Sequence, residues 1–211
     1  MAWATSNRAD IRQQVLRQLY TYADVLQGTA SGGSATTITD IGTTDGVTLE
    51  SAVYSSNAYA GKWAYVGAVT APNQAVVSQY DRDAGTLTLD RALGATASAQ
   101  VYEIHYLLPP LRLNDIIEQI AEEASSGAMT TLAEATAINI DKFTLAEGSL
   151  ALALREIAKS RRGDSRKLLE MEADHHEMLY MRLCANAGYT PLVDRLGVER
   201  EDSEAVQVWS R

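Results

Sequence analysis

Glu172 and His176 stand four residues apart, with His175 beside them. On a helix this spacing puts a carboxylate and an imidazole on one face, where they can share a metal ion. No second carboxylate–histidine pair completes such a site, and the third histidine, His105, lies in a strand-like stretch. A helical surface with intrahelical pairs is the simpler expectation, so neither metal nor cofactor is expected. Asp81, Asp83 and Gly85 resemble the start of a calcium loop, but the twelfth position is Ala92 and the glycine comes one place early. A hairpin turn is expected there instead. The run from Gly28 to Ser34 has the glycine spacing of a phosphate loop. It lacks the lysine and follows a helix rather than a strand, so it reads as a flexible linker. Cys184 sits among Leu183, Ala185 and Ala187, where a buried, inert thiol is expected. There is no Gly-x-Ser-x-Gly elbow, and the three histidines are scattered. Nucleophilic catalysis has no foothold, and the chain is expected not to be an enzyme.

Charge and aromatic placement point to contacts rather than chemistry. Lys159, Arg161, Arg162, Arg166 and Lys167 form the one basic cluster. Arg161 and Arg162 complement the negative end of the helix before them, and Arg166 and Lys167 lie near Glu170 at helical spacing. The functional alternative for the same cluster is a docking patch for an acidic protein surface or for passing DNA, with protein ahead of DNA because the whole chain is acidic. The tail carries Glu199, Glu201, Asp202 and Glu204, then Val206, Val208 and Trp209. Alternating valines and a tryptophan are unusual at a solvated end; they suit a strand added to a partner's sheet or an anchor in a partner's pocket.

The elements that must position these residues change character along the chain. Residues 6–27 predict a helix capped by Ser6 or Asn7, with Ile11, Val15, Leu19, Tyr22 and Leu26 on one face and Gly28 ending it. Fourteen of the 22 residues from 28 to 49 are Gly, Ser or Thr, which predicts loop with short extended pieces. Strand-period alternation follows at 62–66, 75–80, 86–89 and 101–106, with residues 81–85 as a hairpin loop. Such short strands suggest a small barrel or sandwich. Pro109-Pro110 stops the sheet. Helical periodicity then returns over 111–125, with Leu113, Ile116, Ile117 and Ile120, and again over 143–160 and 164–187. The expected fold class is α+β: a helical bundle from 1–27 and 111–187, an antiparallel β module inserted at 28–108, and an extended C-terminal arm at 188–211.

Composition bounds the rest. The chain has 211 residues, 46% hydrophobic and 21% charged, which is a globular composition. Its net charge of −9 disfavours nucleic-acid binding over the whole surface. One cysteine excludes an internal disulfide, no run is long enough to span a membrane, and the opening residues lack a signal peptide's apolar core. A soluble protein made in the cytoplasm is expected.

The pattern of Gly61-Lys62-Trp63, Ser78-Gln79-Tyr80-Asp81, Gly85-Thr86-Leu87-Thr88-Leu89-Asp90 and Val101-Tyr102-Glu103-Ile104 precedes a joint at Pro109, Pro110, Leu113 and Asn114, and then Leu150-Ala151-Leu152-Ala153-Leu154-Arg155. In this order the chain resembles the head–tail adaptor (connector) proteins of tailed phages. The resemblance implies a structural virion protein at the neck. It implies a homo-oligomeric ring, typically of twelve copies, joining the portal to the tail and extending the DNA channel without binding DNA specifically. The arm around Val206, Val208 and Trp209 would face the portal, and the β module would meet tail, nozzle or fibre proteins. Acidic residues suit a channel through which phosphates slide, and Glu118, Glu122 and Glu123 are the candidates. Another virion component, such as a fibre or nozzle protein docking through the β module, is the alternative.

Overall fold

The computed structural model describes residues 7–20, 27–41, 48–49, 57–124 and 141–187. It is an α+β protein, with four helices and seven strands among the described residues. Helix α1 (Arg8–Leu19) starts at Asn7, whose side-chain oxygen accepts from the Asp10 amide at 2.9 Å. It ends eight residues before the expected limit. Tyr20 leaves helical geometry because its hydroxyl is held by the Leu107 and Leu108 amides and its ring packs against Tyr106.

The strands are β1 (Gln27–Thr29), β2 (Gly32–Gly33), β3 (Thr37–Thr39), β4 (Trp63–Tyr65), β5 (Gln74–Asp81), β6 (Thr86–Leu89) and β7 (Val101–His105). They form one antiparallel sheet in the order β1-β7-β4-β5-β6-β3-β2. β5 belongs to both halves of the sheet and bends at an irregularity between Val77 and Gln79. The two edge strands, β1 and β2, follow each other in the chain across Ala30 and Ser31. No ladder pairs them, so the sheet stays open and the expected barrel is not closed.

The Gly28–Ser34 run is therefore neither a phosphate loop nor a linker; most of it is sheet. Gly28 does not cap a helix either. It pairs with Tyr102, and a Cβ there would lie 2.5 Å from the Tyr102 hydroxyl and 2.6 Å from Asp40 Oδ2. That hydroxyl donates to Asp40 Oδ2 at 2.7 Å, so the missing side chain makes room for a buried hydrogen bond. The turn at 81–85 is a hairpin as expected. Asp81 Oδ1 accepts from the Asp83 and Ala84 amides, and Gly85 takes φ 54°.

Helix α2 (Pro110–Ala124) begins on the second proline, which a first helical position tolerates. Its predicted stripe of Leu113, Ile116, Ile117 and Ile120 is fully buried, each side chain contributing roughly 1.5–3 kcal/mol. Helix α3 (Lys142–Lys159) is capped by Asp141, and α4 (Gly163–Ala187) follows it as a hairpin. α3 packs against α4 and also against α1 and α2. Its small buried residues, Ala146, Gly148, Ser149, Ala151 and Ala153, let these neighbours approach closely. Among the described residues, no helix is long and apolar enough to cross a membrane.

Two apolar clusters result. One joins all four helices, and the other fills the sheet around Ile38, Tyr59, Tyr80, Leu87, Tyr102 and Ile104. Tyr106 packs against both.

Candidate interaction surfaces and the buried junction

A buried polar group ties helices to sheet. Arg12 projects from α1 into the interface and is 1% exposed. Its Nε donates to Glu103 Oε2 at 2.6 Å and its Nη2 to Glu103 Oε1 at 2.8 Å, a bidentate pair with β7. Its Nη1 donates to Asn114 Oδ1 of α2 at 2.9 Å, and Asn114 Nδ2 donates to the Tyr65 hydroxyl of β4 at 3.3 Å. The guanidinium also lies 4.5 Å from the centre of the Tyr65 ring. His105 closes the group, with Nε2 3.0 Å from Glu103 Oε2. A carboxylate there puts the proton on Nε2, leaving Nδ1 bare, and that atom is buried without a hydrogen-bond partner.

The electrostatics follow from burial. Desolvation alone would raise the Glu103 carboxyl, but hydrogen bonds from His105 and Arg12 and the Arg12 charge outweigh it and hold Glu103 at about 2. Burial pushes His105 below its usual range, against the opposing pull of Glu103. The site holds an ionised acid beside a neutral imidazole. A cleft of about 310 Å³ opens over this group and is bordered by Asn7, Gln13, Gln27 and Gln100. Arg12 and Glu103 also line it, but their charges are already engaged with each other.

The basic cluster occupies the tip of the α3–α4 hairpin. Residues 159–168 are all exposed. Lys159 pairs with Glu156 at 2.7 Å, Arg166 with Glu170 at 2.7 Å and Lys167 with Asp164 at 4.0 Å. Arg161 and Arg162 make no ion pair among the described residues. Farther along, Arg155 clamps α3 to α4 through Asp174, at 2.9 Å, and the buried Glu177.

The three channel candidates on α2 separate. Glu118 is bound to Arg8 of α1 and Glu122 is exposed. Glu123 is 7% exposed and accepts from Gln119 at 3.1 Å. Glu123 is thus turned inward on the helix, whereas Glu122 faces outward. The Glu172–His176 pairing is also corrected. His176 Nδ1 lies 2.6 Å from Glu147 Oε2 of α3, while Glu172 points to solvent. Among the described residues, no group of three or more metal-ligating side chains occurs. Cys184 is a buried thiol, as expected. Val206, Val208 and Trp209 lie outside the described residues.

Two features went unread in the sequence. One is the Arg12 network; its only local signal is a charged residue on an otherwise apolar helix face, between Ile11 and Val15. The other is on α4. Leu168, Met171 and Met178, with His175 and Arg182, recur at alternating spacings of three and four, and the three apolar members are 65%, 68% and 54% exposed. The inward face of the same helix is Ala173, Glu177, Tyr180 and Cys184. α4 therefore has two usable faces, and its own chain covers one among the described residues. No family model, curated protein or solved structure matches this chain.

Proposed function

We propose that the chain is a structural virion protein of a tailed phage, the head-to-tail adaptor. In this reading, residues 1–27 and 111–187 form a helical bundle and 28–108 a β module inserted into it. Residues 188–211 form an arm toward the portal, carrying Val206, Val208 and Trp209. Copies form a ring, twelve by resemblance, between the portal and the tail. The β module turns toward tail, nozzle or fibre proteins, and DNA passes without being bound.

The observation that carries the reading is the segregation of charge. An exposed tip of five cations, Lys159 to Lys167, stands on a chain of net charge −9. A ring is closed by unlike faces repeated around an axis, and a basic knob on an otherwise acidic protomer supplies two such faces. The buried junction suits the same role, because a ring transmits load only if its two modules hold one geometry. Within the ring, Glu122 remains a channel candidate, where a carboxylate repels phosphate.

Phage particles made without this protein test the reading by electron microscopy. Filled heads lacking tails are expected. Tailed, infective particles would overturn it.

A further inference from the structure

The cleft between α1 and the β1–β7 end of the sheet is lined for hydrogen bonding to something uncharged. We propose that it is a docking site for an extended, uncharged peptide segment of a partner protein, which adds to the edge of β1 and sets a polar side chain into the cleft. The proposal does not depend on the adaptor reading.

The walls come first. The cleft measures about 310 Å³, at the small end of ligand sites, which run roughly 300–1,000 Å³. That volume suits a side chain rather than a cofactor. Gln13 of α1, Gln27 of β1 and Gln100 before β7 line it, all half-buried. None of their carboxamides makes a hydrogen bond among the described residues, so donors and acceptors of both kinds are on offer. Arg12 and Glu103 also line the cleft but satisfy each other, so an entering charge would lose its water with no counter-charge to gain. No aromatic ring lines the cleft, which leaves a sugar or a base nothing to stack on.

The backbone comes second. The Ala30 amide donates to the Gln100 carbonyl at 2.9 Å, and the Ala30 carbonyl accepts from the Ala99 amide at 2.9 Å. The main-chain groups of Gly28 and Ala30 therefore face β7, and strand alternation turns those of Gln27 and Thr29 away from it. β1 is an edge strand, and among the described residues no strand pairs with that side. A polypeptide supplies the alternating amides and carbonyls such an edge takes. Gln27 stands opposite Glu103, on the cleft face of the sheet, so every second side chain of an added strand would turn to the cleft. The turn that presents Gln100 comes third. The Gln100 amide donates to the Ala97 carbonyl at 3.0 Å, and Ala99 takes φ 59° at a turn position that usually holds glycine. Such strain collects at ligand sites.

Nuclear magnetic resonance on the full-length, nitrogen-15-labelled chain tests this. The probe is a hexapeptide alternating valine and glutamine, blocked at both ends. It should shift the Gln27 and Thr29 backbone amides and the side-chain amides of Gln13, Gln27 and Gln100, with a Kd below about 1 mM. Gln27→Ala and Gln100→Ala should each weaken binding about fivefold, as the loss of one hydrogen bond demands, with the spectrum unchanged elsewhere. Peptides N-methylated on the valines or on the glutamines separate edge pairing from other contacts: one of the two should lose binding and the other keep it. Replacing the peptide's glutamines with glutamate should weaken binding at least about tenfold, since the charge finds no partner. No shifts at these residues at several times the expected Kd would overturn the proposal, as would equal binding of the two N-methylated peptides. Shifts produced by maltose and not by the peptide would overturn it and give the cleft to a carbohydrate. Loss of the Gln27 and Thr29 signals on dimerisation without peptide would overturn it and give the edge to a second copy.

Discussion

Replacing Arg12 with Met removes the one cation that faces Glu103 from α1 while keeping most of the side-chain volume. Glu103 is left about as buried as before, with a side-chain exposure of 4%. It loses two hydrogen bonds, at 2.6 and 2.8 Å, and keeps only His105. Asn114 loses a donor as well. Breaking a buried pair from one side typically costs about 3–5 kcal/mol, because an uncompensated charge remains. For a chain of this size that corresponds to a fall in Tm of roughly 6–20 °C. Urea unfolding followed by circular dichroism gives the free energy, and differential scanning calorimetry gives the Tm. The informative comparison is the pair Arg12→Met and Glu103→Gln, singly and together. The double variant should be less destabilised than the sum of the singles by at least about 2 kcal/mol, since neither leaves a bare charge facing the other. A single Arg12→Met cost below about 1 kcal/mol, or strict additivity, would refute the claim that this ion pair fastens helices to sheet.

Acid should weaken the protein in two steps. Below pH 6.5 the unfolded chain protonates its histidine while buried His105 resists, so stability falls as pH drops from that point; His105→Gln should flatten this limb in a Tm-versus-pH series. Glu103 is held at about 2 against an ordinary 4.5, so its contribution is present above 4.5 and is lost as pH falls toward 2; Glu103→Gln should remove that second limb. Gly148→Ala should destabilise by about 1–3 kcal/mol in urea, despite alanine's better helix propensity, because its Cβ would sit 2.9 Å from both Ile120 Cγ2 and Tyr180 Cδ2. If the proposed adaptor reading holds, Glu122→Lys should leave the fold intact by circular dichroism and slow genome delivery by assembled particles; delivery at the normal rate would remove Glu122 from the proposed channel.

Legibility tracked how local each cause was. The α2 stripe, the Asp81–Gly85 hairpin and the Asn7 cap rest on neighbours within a few residues, and they stand where periodicity and turn chemistry put them. α1 ended early because Tyr20 is held by the Leu107 and Leu108 amides, more than eighty residues away. Gly28 was misread for the same reason. Its lack of a side chain answers to Tyr102 and Asp40, not to a helix end. Strand content was visible, but closure of the sheet depends on pairing between β1 and β2, which local alternation does not encode. In the site, the basic cluster was legible as a cluster, whereas its exposure at a hairpin tip depended on the relative reach of α3 and α4. His176 found Glu147 on another helix instead of Glu172 on its own. The Arg12–Glu103 pair spans 91 residues, and nothing near either residue announces the other.

The central claim is that this protein is built to join a ring on a portal. Its mass in solution, alone and mixed with a tailed-phage portal protein, tests that claim most directly. The account predicts stoichiometric capture in a ring on the portal, lost when Arg161, Arg162, Arg166 and Lys167 are changed to Glu. A chain that ignores the portal, or that forms a stable trimer by itself, would contradict it.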